Sequence, residues 1–216
     1  AALSGDPVWI MPDKRRPYQE YLERVDAINA LCGDGPQFYS LHLDVEPHVL
    51  PEVKRDGMEG YIPRFVELIR DARAQADKRG LQLEWDIPAW FGKFHDAEND
   101  CSLTETIFHY CEAVGIMAYS DTAEGQYRVV MPNVEIAKKT GKHLMIGCET
   151  MDLDEARRED GNCAISYFEE GKIYMYKCLQ TIMRDVAETY DAFGFAIHDV
   201  KRWIALQPHV LPKYAE

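Results

Sequence analysis

Asp44 and Glu46 stand two positions apart at the end of the segment SLHLDVE (residues 40–46). In a β-strand that spacing turns both carboxyl groups to one face, with Cα atoms about 6.5–7 Å apart. Two such carboxyls suit general acid–base chemistry, because the charge on one keeps a proton on the other. Glu46, nearer the strand end, is then the acid/base, and Asp44 the partner that raises and steers it. A lone DxE is equally at home at a solvated strand end or in a salt bridge, so its company decides. Four further segments end in acid, His or Tyr side chains: LQLEWDIP (81–88), GIMAYSD (115–121), HLMIGCE (143–149) and FGFAIHD (193–199). Sorted by period-two parity, His42, Asp44 and Glu46 share one face, as do Glu84 and Asp86, then Met117, Tyr119 and Asp121. Gly147 and Glu149 share a face, and so do Gly194, Ala196 and His198. Taking so many ionisable groups out of water costs several kcal/mol unless they are used or mutually satisfied, which points to a functional pocket.

The opposite parity is apolar: Leu41, Leu43 and Val45; Leu83, Trp85 and Ile87; Phe193, Phe195 and Ile197. A strand with one apolar and one polar face is expected where helices cover one side only. An open doubly wound sheet buries both faces and gives near-continuous apolar strands. Helical periodicity fills the gaps between strands. Residues 18–31 place Leu22, Val25, Ile28 and Leu31 on one face, and residues 62–79 do so with Phe65, Leu68, Ile69, Ala72 and Ala76, stopped by Gly80. Residues 105–113, 130–139 and 168–190 are further helices. Strand-to-strand spacings of about 28 to 50 residues suit right-handed crossovers. A sixth strand is expected near Ala1–Ser4. The long segments 47–61 and 150–167 read as loops at strand C-termini, where a barrel places its substrate contacts. The expectation is an α/β fold, (β/α)8 TIM-barrel-like and incomplete at the N-terminus, with about five to six βα units. No linker divides it, so residues 1–216 are expected to form a single catalytic domain.

Composition narrows the partners. The formal charge of -13 argues against nucleic acid and against an anionic membrane surface. No apolar run approaches the roughly 20 residues that span a bilayer, and the first residues show no signal-peptide pattern. The six cysteines (Cys32, Cys101, Cys111, Cys148, Cys163, Cys178) lack CxxC and zinc spacing and read as small buried thiols of a reducing compartment, the cytoplasm being favoured. Neither GxSxG nor GxGxxG occurs, which removes serine-hydrolase and dinucleotide readings. No cofactor is expected.

At these residues the chain resembles a known family. HLDVEP (residues 42–47) is similar to the end of the fourth strand in chitinase-like glycoside hydrolases of family 18, whose motif is DGxDxDxE. The resemblance implies that Glu46 is the proton donor and that Asp44 orients it and the substrate's acetamido group. Met117-Ala118-Tyr119 followed by Asp121 looks like that family's Met-x-Tyr-Asp with one residue inserted, which implies that Tyr119 assists the acetamido group. Trp203 resembles the Trp that floors the sugar subsite. The likeness covers residues 38 to 203 in matching strand order. His42 replaces the motif's first Asp, and Tyr39-Ser40 its Asp-Gly, so the match is to a broader glycosidase-like barrel. For a substrate without an N-acetyl group, Asp121, Glu149 or Asp86 takes the nucleophile or base role.

The functional expectation is a glycosidase-like hydrolase acting on an oligo- or polysaccharide. Glu46, Asp44, Tyr119 and Asp121 are its catalytic residues, and His42, Asp86, Trp90, Glu149, His198 and Trp203 its substrate contacts. Trp85 falls on the helix-facing parity and reads as core. Trp90 and Phe91, just past a strand end, read as sugar platforms, with Trp9 and Trp203 as further aromatic candidates in loops. Two alternatives remain open on residue types alone. One is a divalent-metal isomerase or hydrolase built on the same His, Asp and Glu side chains. The other is a non-catalytic sugar-binding barrel whose open edge is covered in a homo-oligomer.

Overall fold

The structure, a computed structural model, describes residues 1–153 and 162–208. Its main sheet contains β1 (Ala2–Ser4), β2 (Ser40–Leu43), β3 (Gln82–Pro88), β6 (Ala113–Met117), β7 (His143–Glu149) and β8 (Phe193–His198). A short antiparallel pair, β4 (His95–Asp96) and β5 (Cys101–Ser102), follows β3. The helices are α1 (Arg16–Cys32), α2 (Pro51–Asp56), α3 (Ile62–Arg79), α4 (Leu103–Tyr110), α5 (Ala123–Thr140), α6 (Gly171–Ala187) and α7 (Val200–Ala205). Six parallel strands alternating with helices make this an incomplete TIM-barrel-like α/β fold. Among the described residues, no helix is long and apolar enough to cross a membrane.

The chain divides into two compact units, Ala1–Ile87 with Phe91–Val114, and Pro88–Trp90 with Gly115–Glu216. In the first, β1 pairs with β2 in parallel (Leu3 opposite His42), and β2 with β3 (His42 opposite Glu84). The apolar parity is buried as predicted: Leu41, Leu43, Leu83, Trp85 and Ile87 are all inaccessible. Trp85 meets the ring of Phe65 on α3 edge-on at 5.6 Å, and Phe65 meets Phe91 in the same way at 6.0 Å. Helix α3 has the predicted bounds, with Gly80 left-handed at its C-cap and Ala72 and Ala76 buried. Helix α4 starts on a capping box, Ser102 and Glu105 each bonding the other's backbone N–H.

In the second unit, β7 and β8 pair in parallel from Leu144 opposite Phe193 to Glu149 opposite His198. Buried Gln126 on α5 ties helix to sheet: its Nε2 donates to Gly147 O at 2.8 Å, and its Oε1 accepts from Tyr167 Oη at 2.9 Å. A Cβ on Gly147 would lie 2.9 Å from Ile116 O and 3.3 Å from the Tyr119 ring, so only glycine lets β6 and Tyr119 come this close. As the last strand in the order, β8 leaves Phe193, Phe195 and Ile197 only half-buried.

Several local expectations are corrected. Strand β2 ends at Leu43, so Asp44 and Glu46 lie just beyond it, although Asp44 N still donates to Ser4 O at 3.0 Å. Strand β6 starts earlier, because the adjoining Glu112 exchanges hydrogen bonds with the Leu83 backbone, and a tight turn from Ala118 N to Ile116 O ends it. Residues 47–61 are not an open loop: three short helical pieces fill them, two beginning with Pro47 and Pro51, whose fixed φ suits a first helical position. Ile28 and Leu31 are exposed rather than packed, since α1 is buried only along Tyr18, Tyr21, Leu22 and Val25. Helix α5 starts at Ala123, capped by Thr122, and α6 runs only Gly171–Ala187. Cys111, Cys148 and Cys178 are buried thiols, whereas Cys32 and Cys101 are partly exposed. The side chain of Cys163 and residues 154–161 of the predicted second loop lie outside the described residues.

Replacing Trp85 by Ala removes the ring that joins sheet to helix and should cost about 3–5 kcal/mol. Urea unfolding of wild type and variant measures this, and a loss below about 1 kcal/mol would contradict the packing described.

Candidate functional site

In the first unit the polar parity of β2 and β3 forms one ionic cluster. His42 Nδ1 lies 3.0 Å from Glu84 Oε2, and His42 Nε2 lies 2.8 Å from Asp86 Oδ2. Burial alone would lower the pKa of this imidazole. The carboxylates of Asp86 and Glu84 outweigh burial and hold it up at about 9, so His42 is a cation at neutral pH. Contact with His42 holds Glu84 below the ordinary carboxylate range, with help from Ser40. Both ring nitrogens are thus committed to carboxylates, and neither offers a lone pair to a metal. Among the described residues, no group of three or more His, Cys, Asp or Glu side chains is arranged to hold a metal ion.

Above this cluster the chain carries Asp44 and Glu46 past the end of β2. Glu46 Oε1 lies 3.6 Å from Nε2 of His48, a contact the sequence did not predict. The His48 ring rests edge-on against buried Phe91 at 5.8 Å. Burial lowers its pKa, and the nearby charges of Lys54 and Lys93 lower it further, so His48 stands neutral beside Glu46 at neutral pH. Gly5 is the other residue missed. A Cβ there would lie 1.7 Å from Asp44 O and 2.3 Å from Asp44 C, so the bare glycine is what lets the chain leaving β1 pass against the Asp44 backbone. The only sequence sign of it was a Gly just past the first strand.

In the second unit, Glu149 and His198 meet at the ends of β7 and β8. Glu149 Oε2 lies 2.9 Å from His198 Nδ1, and the Tyr119 ring stacks on the His198 ring at 6.5 Å and 26°. The peptide between His198 and Asp199 is cis. Asp121 lies beyond β6, where its N–H donates to Ala164 O at 3.0 Å and its charge adds to the upward shift of the Tyr174 hydroxyl. Asp199 caps α7 and pairs with Arg202.

The aromatic candidates separate by burial. Trp90 is 42% exposed and keeps its platform character. Phe91 and Trp9 do not: Phe91 is wholly inaccessible, and Trp9 is buried against Tyr18 and Tyr21 at 5.3 and 5.9 Å. Both rings are packed among other aromatic side chains, where a large ring is worth more than on a surface. Trp203 lies on α7, its Nε1 donating to Tyr176 Oη at 3.0 Å, with Lys172 Nζ 5.1 Å above its ring.

No protein-family model and no curated protein matches the chain. Among solved structures, it is similar to catalytic domain 2 of a Group II chitinase from Ostrinia furnacalis, an E2180L mutant in complex with a chitooligosaccharide. That likeness has 14% identity and a TM-score of 0.41, covering 68% of this chain and 44% of that one. The glycoside hydrolase domain of PgaB (BpsB) from Bordetella bronchiseptica is similar at 12% identity and a TM-score of 0.45, covering 91% of this chain and 60% of that one. The chain therefore spans less than two thirds of the length of either. Likeness at this level assigns neither family nor activity.

The His42 clamp predicts a pH dependence of stability. Its folded pKa of about 9 exceeds the unfolded value of about 6.5. The clamp's contribution is therefore complete below pH ~6.5 and is lost as pH rises through ~9, a change on the order of 3 kcal/mol. Urea unfolding at several pH values should show this decline in wild type and not in His42→Gln. Identical profiles for the two proteins would contradict it.

Proposed function

We propose that the chain is a glycosidase-like hydrolase acting on an oligo- or polysaccharide, residues 1–216 serving as one catalytic domain, with Glu46 as its general acid/base. The observation that carries this reading is the position of Glu46: just past a parallel strand's C-terminal end, two residues after Asp44, and 3.6 Å from the His48 imidazole. Neutral His48 brings no positive charge of its own to the Glu46 carboxyl. In this role Glu46 gives its proton to the glycosidic oxygen as the bond to the sugar carbon breaks. The protonated leaving group departs as an alcohol, the oxygen of a water bonds to the sugar carbon, and Glu46 takes back that water's proton.

Asp44 supplies negative charge beside Glu46, which favours the protonated acid needed for the first step. Gly5 leaves the room that the Asp44 backbone occupies. Below them the His42 clamp keeps Asp86 and Glu84 from collecting as an unrelieved anionic cluster. Exposed Trp90 offers a flat apolar surface of the kind that sugar C–H faces stack upon.

The test uses a panel of 4-methylumbelliferyl glycosides together with reducing-end release from chitooligosaccharides and other oligosaccharides. Wild type should turn over at least one member. Glu46→Gln should lower that turnover by about 10²-fold or more with the thermal unfolding midpoint little changed. An inert wild type, or a Glu46→Gln protein of undiminished rate, would overturn the proposal.

A further inference from the structure

The Glu149–His198 pair in the second unit has the construction of a proton-transfer device and is independent of Glu46. Glu149 is only 6% exposed, and its carboxylate is held at both oxygens. Oε1 accepts the backbone N–H groups of Thr150 and Met151, each at 2.8 Å, while Oε2 faces His198 Nδ1 at 2.9 Å. The His198 backbone is held as well, because Thr150 Oγ1 donates to His198 O at 2.7 Å and the Thr150 N–H is shared between that oxygen, at 2.8 Å, and Glu149 Oε1. The Tyr119 ring lies stacked alongside, 6.5 Å away between centroids. The His198 side chain is nevertheless 51% exposed, and among the described residues its ring is hydrogen-bonded through Nδ1 alone.

We propose that His198 is a general base whose tautomer is set by Glu149, acting on a hydroxyl-bearing ligand or on water. A carboxylate accepts and does not donate, so Oε2 keeps the ring hydrogen on Nδ1 and leaves the Nε2 lone pair facing outward. An O–H placed against Nε2 passes its proton to that nitrogen, and the electron pair stays on the oxygen, which becomes the nucleophile. The ring is then an imidazolium with both nitrogens protonated, its charge facing Glu149. The proton returns to an oxygen of the product, restoring the neutral base. Glu149 is a positioning residue in this scheme and His198 the reacting one. A purely structural lock between β7 and β8 has no use for a bare outward nitrogen, since the Thr150 bonds and the strand pairing already fix the register.

The tautomer is readable without any substrate, so its outcome is separate from that of the hydrolase assay. Long-range 1H–15N spectra of the full chain, recorded where the imidazoles are neutral, should show His198 with hydrogen on Nδ1 and none on Nε2. In Glu149→Gln the amide donates to Nδ1 and the hydrogen should move to Nε2. Diethyl pyrocarbonate acylates a bare imidazole nitrogen, its other half leaving as ethanol and carbon dioxide. Mass spectrometry of the peptide containing His198 should show modification slowed at least about tenfold by Glu149→Gln, since the wrong tautomer has no free outward lone pair. A wild-type ring protonated on Nε2, or equal modification rates in the two proteins, would overturn the proposal. Should the variant fail to fold, the wild-type tautomer decides alone.

Discussion

A charged group taken out of bulk water has to be met by a partner, and the polar parity of this sheet is organised around that requirement. Charge cannot be left alone on a strand whose other face is sealed by helices, because desolvation outweighs any single hydrogen bond. His42 meets it as a cation placed between Glu84 and Asp86, at ion-pair distances of 3.0 and 2.8 Å. Glu149 satisfies it with two backbone amides and one imidazole. These two clusters solve the same problem differently. In the first, a cation is consumed by its neighbours and has nothing left to offer a ligand. In the second, one face of the imidazole is used and the other is left outward. That contrast, rather than the number of acidic residues, distinguishes the two clusters.

The apolar half of the pattern was the more legible in sequence. Leu83, Trp85 and Ile87 alternate with Glu84 and Asp86, and period two in so short a run is the mark of a half-buried strand. The structure buries all three. Helix α3 was readable to its last residue because its apolar stripe is continuous and Gly80 provides a left-handed stop. Helix α1 was not. Its repeat carries on through Ile28 and Leu31, which the structure leaves exposed, so the repeat outruns the surface available to cover it.

Of the candidate site, residue types and parity were legible in the sequence, whereas the partners were not. That His42 faces Glu84 follows from register, and register depends on strand pairing, which one strand's sequence does not contain. The His48–Glu46 contact arises because Pro47 starts a helical turn past β2, so residues in what read as a loop fold back beside the strand end. Gly5 was invisible for a similar reason: its role is the space it leaves for Asp44, a residue 39 positions later. Phe91 and Trp90 are adjacent and similar in type, yet one is sealed and the other exposed, and only the tertiary packing against Phe65 makes that choice.

The imidazole at His42 takes on a definite physical meaning in this setting. An imidazolium standing alone at this position would make the local charge positive, where a carboxylate would make it negative. Here the cation does not act by itself, because Glu84 and Asp86 hold it from either side and the trio keeps one net negative charge. The trio therefore retains the sign that a single Asp would give, delivered through three side chains on two strands. A charge spread in this way is less concentrated than one carboxylate. Strand register brings the backbone positions together, and the two ion pairs hold the side chains against one another.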